Sequence, residues 1–567
     1  MSLDFTIIGA GATGTGMLYQ LAQTLAEPSE GERLDPRGAR VRVIERRDTF
    51  GPGFPHSDRN ALPFHLINMC ARDMSIEAGR PDDFQAWLNE HRDALGRRFP
   101  DYRPYLESPE LRDGACTYVP RGVMGKYLEA RFQKGVALLR ASAVATELYA
   151  GWEAVEVREE PAAVRVTLRK TGGGSPLQVE TDRVLLATGH WFEEPNDGRY
   201  FPSPWPPRAL ERRIPPGARI GVIGTSLSAV DAALTLTADG AFARDGTGKL
   251  VYEPGTRSRR LTLYSRSGQL PRVRGRSGDR RNRHFTRANV EGRRRANGGF
   301  LCLGDLFELL DADLRAAYGR PIPWEDLAAP PGPVEEVLER AVWEARRGDG
   351  PEGELIWQTV LHQTFPMARD LYLGLAPEER ARFDRDYATL FFLFASPMPP
   401  LNAEKLLALL RAGVVRVVRL GRDYAFTREA DGSGFAFTYK DAAGRRRKEA
   451  CEYVVDARGQ RRSYETNPTP LARNLLTTGT VAIEAVPLKA GDGASGVYRT
   501  GGLWVDPGTQ RVVRAGPDGA PEISKRIYAV GVPTRGQILD ASMAHSCAVA
   551  TGGIARALLR EMRGQKP

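Results

Sequence analysis

The sequence predicts an α/β fold in which one strand–turn–helix unit is nested inside another, with a helical insertion beside them. Three observations predict it. Apolar strands run into glycine-rich turns and then into helical patterns twice, at 5–25 and at 219–236. A third strand, Ile527-Tyr528-Ala529-Val530-Gly531, and a helical pattern from Ser542 to Leu559 return to the first unit. Between the second unit and that return, Leu303 to about Asn402 is mostly helical by its apolar spacing.

Composition narrows the class further. At about 150 residues per domain, 567 residues suit three to four domains or one large two-domain enzyme. With 41% hydrophobic and 26% charged residues, whole-chain disorder is excluded. The five cysteines are scattered without a Cys-x-x-Cys pair, which excludes a disulfide framework, a zinc ribbon and a redox dithiol. The seven histidines contain no His-x-x-x-His pair, so no metal is expected. No run of eighteen uncharged apolar residues occurs, and Met1-Ser2-Leu3-Asp4-Phe5 enters a strand without a charged leader, so a cytoplasmic protein is expected.

The first turn is Gly9-x-Gly11-x-x-Gly14, preceded by the strand Phe5 to Ile8 and followed by Met17, Leu18, Leu21 and Leu25 at helical spacing. Gly9 permits the tight turn, Gly11 admits a pyrophosphate, and Gly14 allows close contact of helix and strand. The second strand, Val41-Arg42-Val43-Ile44-Glu45, ends in an acid suited to ribose hydroxyls. Gly9 and Glu45 lie further apart than the usual twenty or so residues, and the polar stretch Glu27 to Gly38 reads as an inserted loop.

The second turn reads Gly224-Thr225-Ser226-Leu227-Ser228-Ala229, with Ser226 in place of the middle glycine. Its own second strand, Leu261 to Arg266, ends in an arginine rather than an acid. An arginine attracts a ribose 2′-phosphate, so this turn is expected to take NADPH. The fold class is therefore α/β with two Rossmann-like dinucleotide-binding domains. Val184-Leu185-Leu186-Ala187-Thr188-Gly189 breaks just before the second turn, and Val454 to Gly459 echoes it. The expected order is an FAD-binding first part over 1–190, an NADPH-binding domain inserted over 191–410, and the FAD-binding return over 411–567.

Charge is uneven. The formal excess is +10, from 80 basic and 70 acidic residues, yet the loop Arg272 to Arg295 alone holds ten arginines against Asp279 and Glu291. Such a run suits a solvated insertion, an anionic ligand or RNA, and only Phe285 offers a stacking ring. In the helical middle, Tyr387, Phe391, Phe392 and Phe394 read as core, and Asn402 as the N-cap of a helix over Ala403 to Leu410. His65, His190 and His545 sit in or beside motif segments, where a lone histidine is more often structural.

Further motifs carry a resemblance: Gly51-Pro52-Gly53, Leu66-Ile67-Asn68-Met69 with Met74-Ser75, Pro120-Arg121 with Gly125-x-Tyr127-Leu128, and Ser265-Arg266-x-Gly268-x-Leu270-Pro271. With the two turns, they make most of the chain resemble the flavin-dependent monooxygenases with separate FAD and NADPH domains, and more narrowly the branch with the bacterial nitrosuccinate synthases, which N-oxygenate aspartate. The resemblance implies that Gly9, Gly11, Gly14, Glu45 and Arg46 hold the ADP half of FAD, with Thr188 and Gly189 beside them. Asn68 and Met69 would flank the flavin ring, with His65 a second pocket candidate, and Arg121 would face flavin phosphate. Gly224, Thr225, Ser226, Ser228 and Arg266 would hold NADPH, and the loop from Gly531 to Asp540 would close over the flavin.

The implied chemistry is flavin reduction by NADPH, formation of a C4a-(hydro)peroxyflavin with O2, and oxygen transfer to a nitrogen or sulfur of a small molecule. No side chain is singled out as catalytic. Arg272 and Arg274, next to Leu270-Pro271, would clamp a carboxylate, which points to an acidic amino acid such as aspartate. Neither a membrane nor a nucleic acid is an expected partner, and self-association stays open. Two other readings compete: an FAD/NADPH dehydrogenase without oxygen transfer, and a flavoprotein acting on RNA through the arginine run.

Overall fold

The computed structural model describes residues 3–26, 38–113, 116–192, 198–460, 463–488, 496–516 and 519–563. All but the first residue of strand Asp4–Ile8 are fully buried, as suits a parallel strand covered on both faces. It pairs in parallel with Arg40–Glu45 on one side and Arg183–Leu186 on the other. Ala145–Ala150 extends the sheet at one edge. Pro521–Ala529 joins beside Arg183–Leu186, and Arg511–Ala515 closes that edge antiparallel. The chain therefore returns to its first sheet from more than five hundred residues away.

Helices Ala12–Ala26, Arg121–Ala141 and Ala544–Met562 pack on one face of this sheet, sharing Met17, Leu21, Phe132, Leu139, Ile554 and Leu558 in one core. The first and last of these are tied by Gln20, whose Nε2 donates to Ala548 O at 3.0 Å and Thr551 Oγ1 at 2.8 Å. The stretch Glu27 to Gly38, expected as an inserted loop, lies outside the described residues except for Gly38.

The second sheet is parallel throughout, in the order Tyr200–Phe201, Tyr453–Asp456, Arg219–Ile223, Arg260–Ser265, Val415–Arg419. Helices Leu227–Leu236 and Pro400–Arg411 share a core with its strands through Val230, Ala233, Leu406 and Leu409. On the other face lies an antiparallel sheet of Ala425–Arg428, Phe435–Lys440 and Arg446–Cys451, where Phe437 stacks on Tyr264.

Two expectations need correction here. The boundary between 410 and 411 falls inside the second sheet, because Val415–Arg419 and Tyr453–Asp456 pair there and not with the returning first sheet. Asn402 is not an N-cap: the helix begins at Pro400, whose fixed φ suits the first helical position, and leaves Asn402 buried within the first turn. The helical insertion leaves the second sheet after Arg260–Ser265 and includes Leu303–Tyr318, Val334–Arg347 and Ala388–Ala395. Among the described residues, no helix is long and apolar enough to cross a membrane.

Candidate functional site

The first glycine turn is closed by its own backbone. Gly9 has φ +99°, and a Cβ there would lie 2.3 Å from Ala187 O. A Cβ on Gly14 would lie 1.9 Å from Gly9 O, so this helix approaches the strand only with glycine there. Across the turn, Gly53 brings its Cα to 3.2 Å from where a Cβ of Gly11 would stand. Gly11 and Gly53 thus form opposite walls of a narrow cradle. Glu45 is buried behind it, accepting from Ala10 N at 2.9 Å and from Arg47 N at 3.0 Å.

The cleft beside this cradle is lined by Gly9, Gly11, Glu45, Arg46, Thr188 and Gly189, which gathers most of the residues expected at the ADP half. Its lining also includes Phe54, His56, His190 and Trp191, and Met74, Ile76 and Cys547. Burial, aided by the Arg121 charge, pushes His56 down to about 3. Its Nδ1 is buried and has no hydrogen-bond partner among the described residues. Burial likewise brings His190, bonded to Gln460 Oε1 at 3.0 Å, to about 4. Two neutral rings, a glycine cradle and a buried acid fit an extended dinucleotide with a flat aromatic end.

A larger cavity, about 800 Å³, adjoins this cleft and shares Ala541 and Cys547 with it as a common wall. Cys547 Sγ accepts from Thr13 Oγ1 at 3.4 Å and donates to Ala541 O at 3.3 Å. The cavity collects Met69, Gly531, Asp540 and Arg274 from the expected set, together with Asp73 and His362. Arg274 Nη1 contacts His362 Nε2, and Ser277 Oγ lies 3.0 Å from His362 Nδ1. Burial and the charges of Arg274 and Arg72 push His362 down to about 3. The neutral ring therefore accepts from Arg274 and donates to Ser277, fixing the guanidinium at the cavity wall. Burial raises the Asp73 carboxyl on the same wall.

Several expected site residues stand elsewhere. Asn68 is half-buried and lines neither space. His65 and Arg121 face the second domain rather than the flavin cleft: His65 Nε2 meets Thr235 Oγ1 at 3.0 Å, and Arg121 Nη1 meets Asp231 Oδ2 at 2.7 Å. Arg272 is buried, donates to Leu327 O at 2.6 Å and Ala328 O at 3.2 Å, and lies over the Phe394 ring. It anchors the helical insertion, so the expected clamp keeps only Arg274 at the cavity.

Other arginines of the run form ion pairs, and Arg276 and Arg287 line the larger cavity. Arg287 pairs with Asp370, Arg293 with Asp305 and Glu308, and Arg294 with Glu291. Part of the expected loop is the helix Arg287–Ala296, capped by Thr286. Arg287 and Arg293 thus face carboxylates of neighbouring helices, and Arg294 one on its own helix.

At the second turn, Gly224 has φ +119° and its N–H donates to Tyr264 O at 2.7 Å. Thr225 Oγ1 donates to Gln269 O at 2.6 Å and lies 3.1 Å from Ser265 Oγ. Ser226 is the exposed N-cap of helix Leu227–Leu236, which begins with Leu227 and Ser228. Arg266 is exposed at the strand end, its carbonyl accepting from Gly421 N. None of Gly224, Thr225, Ser226, Ser228 and Arg266 lines either cavity.

The sequence reading missed His56 and His362. His56 follows the Gly51–Gly53 motif closely enough to have been noticed, whereas His362 meets Arg274 across 88 positions with no local signal.

Comparison with known proteins accords with this geometry. The model of a family described as FAD-NAD(P)-binding matches residues 6–191. Residues 6–191 form an FAD-NAD(P)-binding domain. The "Uncharacterized protein YdhS" of Escherichia coli (strain K12) is 25% identical over 484 residues, covering 80% of this chain and 83% of its own. Among solved structures, the reduced form of the ornithine hydroxylase PvdA from Pseudomonas aeruginosa superposes with a TM-score of 0.52 at 14% identity, covering 99% of each chain. DfoA bound to FAD, the cadaverine monooxygenase of Erwinia amylovora, gives 0.53 at 12% identity, covering 100% of this chain and 95% of its own. At these identities the solved structures establish the shared fold.

Proposed function

We propose that this flavin oxidoreductase is an NADPH-dependent N-monooxygenase of a small amine that also carries a carboxylate, aspartate being the substrate to try first. One observation carries the reading: the polar cavity that adjoins the flavin cleft presents a guanidinium, Arg274, held in place by His362. A guanidinium so fixed binds a carboxylate in a defined direction and leaves the rest of the molecule to reach the shared wall at Cys547. The solved relatives named for ornithine and cadaverine chemistry support an amine as the acceptor.

Bound FAD supplies hydride acceptance from NADPH and activation of O2. The chain's own part is to bind, orient and exclude water. Met74, Ile76 and Cys547 add apolar surface to the cleft, and that surface would help keep water from a bound flavin. Ser265 and Arg266 at the second turn favour a 2′-phosphate, hence NADPH over NADH.

The test is direct. The purified protein should show a flavin absorbance spectrum and oxidise NADPH faster when aspartate or a related amino acid is added. Mass spectrometry should then find a product one oxygen heavier. Amine-stimulated NADPH oxidation yielding only hydrogen peroxide, with no oxygenated product across a panel of amines and thioethers, would replace this reading with a flavin oxidoreductase that transfers no oxygen.

A further inference from the structure

The two nucleotide-binding halves meet through a buried polar contact that no part of the chemistry above uses. On the FAD side, Arg121 opens helix Arg121–Ala141, and its N–H donates to His65 O at 2.7 Å. On the other side, Asp231 and Thr235 lie four apart on helix Leu227–Leu236, and so on one face of it. Arg121 Nη1 stands 2.7 Å from Asp231 Oδ2, whose side chain is 3% exposed.

The hydrogens of the second contact can be assigned. His65 Nδ1 accepts from Leu62 N at 3.2 Å, so Nε2 carries the proton. Nε2 donates to Thr235 Oγ1 at 3.0 Å, and the Thr235 hydroxyl donates to Asp231 O at 2.8 Å. Each hydrogen is used once, and the chain of bonds runs from the FAD half into the backbone of the second helix. Burial keeps the ring uncharged, at about 4.

What is pinned lies between the two glycine-rich turns. Helix Leu227–Leu236 is N-capped by Ser226 of the second glycine turn. Helix Arg121–Ala141 presses on the flavin cleft: Met124 lines it, and a Cβ on Gly125 would lie 2.2 Å from the carbonyl of His56. A buried ion pair adds little net stability over an apolar contact of the same shape, but it does specify one relative placement of the elements it joins. We propose that Arg121 and His65 are positioning residues that lock the nicotinamide-binding helix in the orientation from which hydride reaches the flavin. The proposal rests on reduction of FAD by NADPH and is indifferent to what is later oxygenated.

The experiment uses the FAD-loaded full chain. The double substitution Arg121→Gln with Asp231→Asn removes both charges and strands neither. Under anaerobic rapid mixing, its limiting rate of flavin reduction at saturating NADPH should fall about tenfold or more, since small misplacements are costly in group transfer. Its FAD content and its reduction by dithionite should be unchanged. Amide exchange over 227–236 should quicken while strand 4–8 stays protected. The exchanged pair, Arg121→Asp with Asp231→Arg, should recover part of the rate.

A limiting rate within about twofold of the parent's, with unaltered exchange over 227–236, overturns the proposal. Should the double substitution not fold, Thr235→Val carries the same test through the His65 link. It should lower the rate about threefold, roughly the worth of one ordinary hydrogen bond, and an unchanged rate and exchange again overturn the proposal. A parent that NADPH does not reduce at all would instead defeat the underlying reading.

Discussion

The two glycine-rich turns are built to one plan and finished differently. In both, the first glycine donates to the carbonyl near the end of the neighbouring strand, Ile44 O in one and Tyr264 O in the other. In both, an alanine amide on the opposite strand, Ala187 or Ala457, donates back to Ile8 O or Ile223 O. The finish differs at the next two motif positions. Gly14 has no room for a methyl, whereas Ala229 carries one in the second core. Gly11 is faced by Gly53, whereas Ser226 is exposed. The first turn is walled in by its own chain and the second is open on one side. On the function proposed, that is the difference between a cofactor that stays and one that must leave at every turnover.

Alanine substitution of the leading glycines should break the parallel most sharply. Gly9→Ala adds backbone strain of about 1–3 kcal/mol to a collision with Ala187 O, so the soluble protein should be colourless and take up no FAD. Gly224→Ala is strained in φ, but its Cβ has 3.0 Å to Ala457 O. That protein should remain yellow and bind NADPH about tenfold more weakly, on the order of 1.4 kcal/mol, by equilibrium titration.

Acid should act next, through the cleft histidines. His190 ordinarily titrates at 6.5 and is held at about 4 in the folded chain. The unfolded chain therefore takes up the proton first, and stability present above pH 6.5 should be lost as the pH falls toward 4. For His190 alone this is about 3 kcal/mol. Urea unfolding followed by flavin fluorescence should show the slope, and His190→Asn should flatten it.

At the larger cavity, Arg274→Ala should lower kcat/KM for the carboxylate substrate about tenfold to a hundredfold, the range of a lost charge-assisted contact, with flavin reduction by NADPH unchanged. Arg272→Ala should leave that ratio alone and lower Tm instead, because Arg272 serves the carbonyls of Leu327 and Ala328. The smallest effect should come from Ser226→Gly. Its side chain makes no capping bond, so helix stability should change by only a few tenths of a kcal/mol, while NADPH binding tightens a few-fold.

How much of this was legible follows from distance along the chain. Both turns could be read because a positive φ and a close backbone approach demand glycine locally, and Gly9, Gly14 and Gly224 stand where those demands arise. The nested order could be read from the returning strand at 527–531. The boundary near 410 could not, because an apolar strand such as Val415–Arg419 reads the same whichever sheet receives it. Arg272 and Arg274 sit two apart and look equivalent. Only Phe394 and the carbonyls of a distant helix claim the first, and only His362 fixes the second. His65 was noticed for its motif, but its partner, 170 positions away, gives it a different task.

The joining of Gln20 to Thr551 and of Thr13 to Cys547 sets an order of events in the cell. The first glycine turn of the flavin cradle is made more than five hundred residues ahead of helix Ala544–Met562, which supplies one wall of its cleft. A nascent chain that carries the first turn alone would hold an incomplete pocket with apolar sides. A complete flavin cleft therefore exists only once helix Ala544–Met562 has been made and packed.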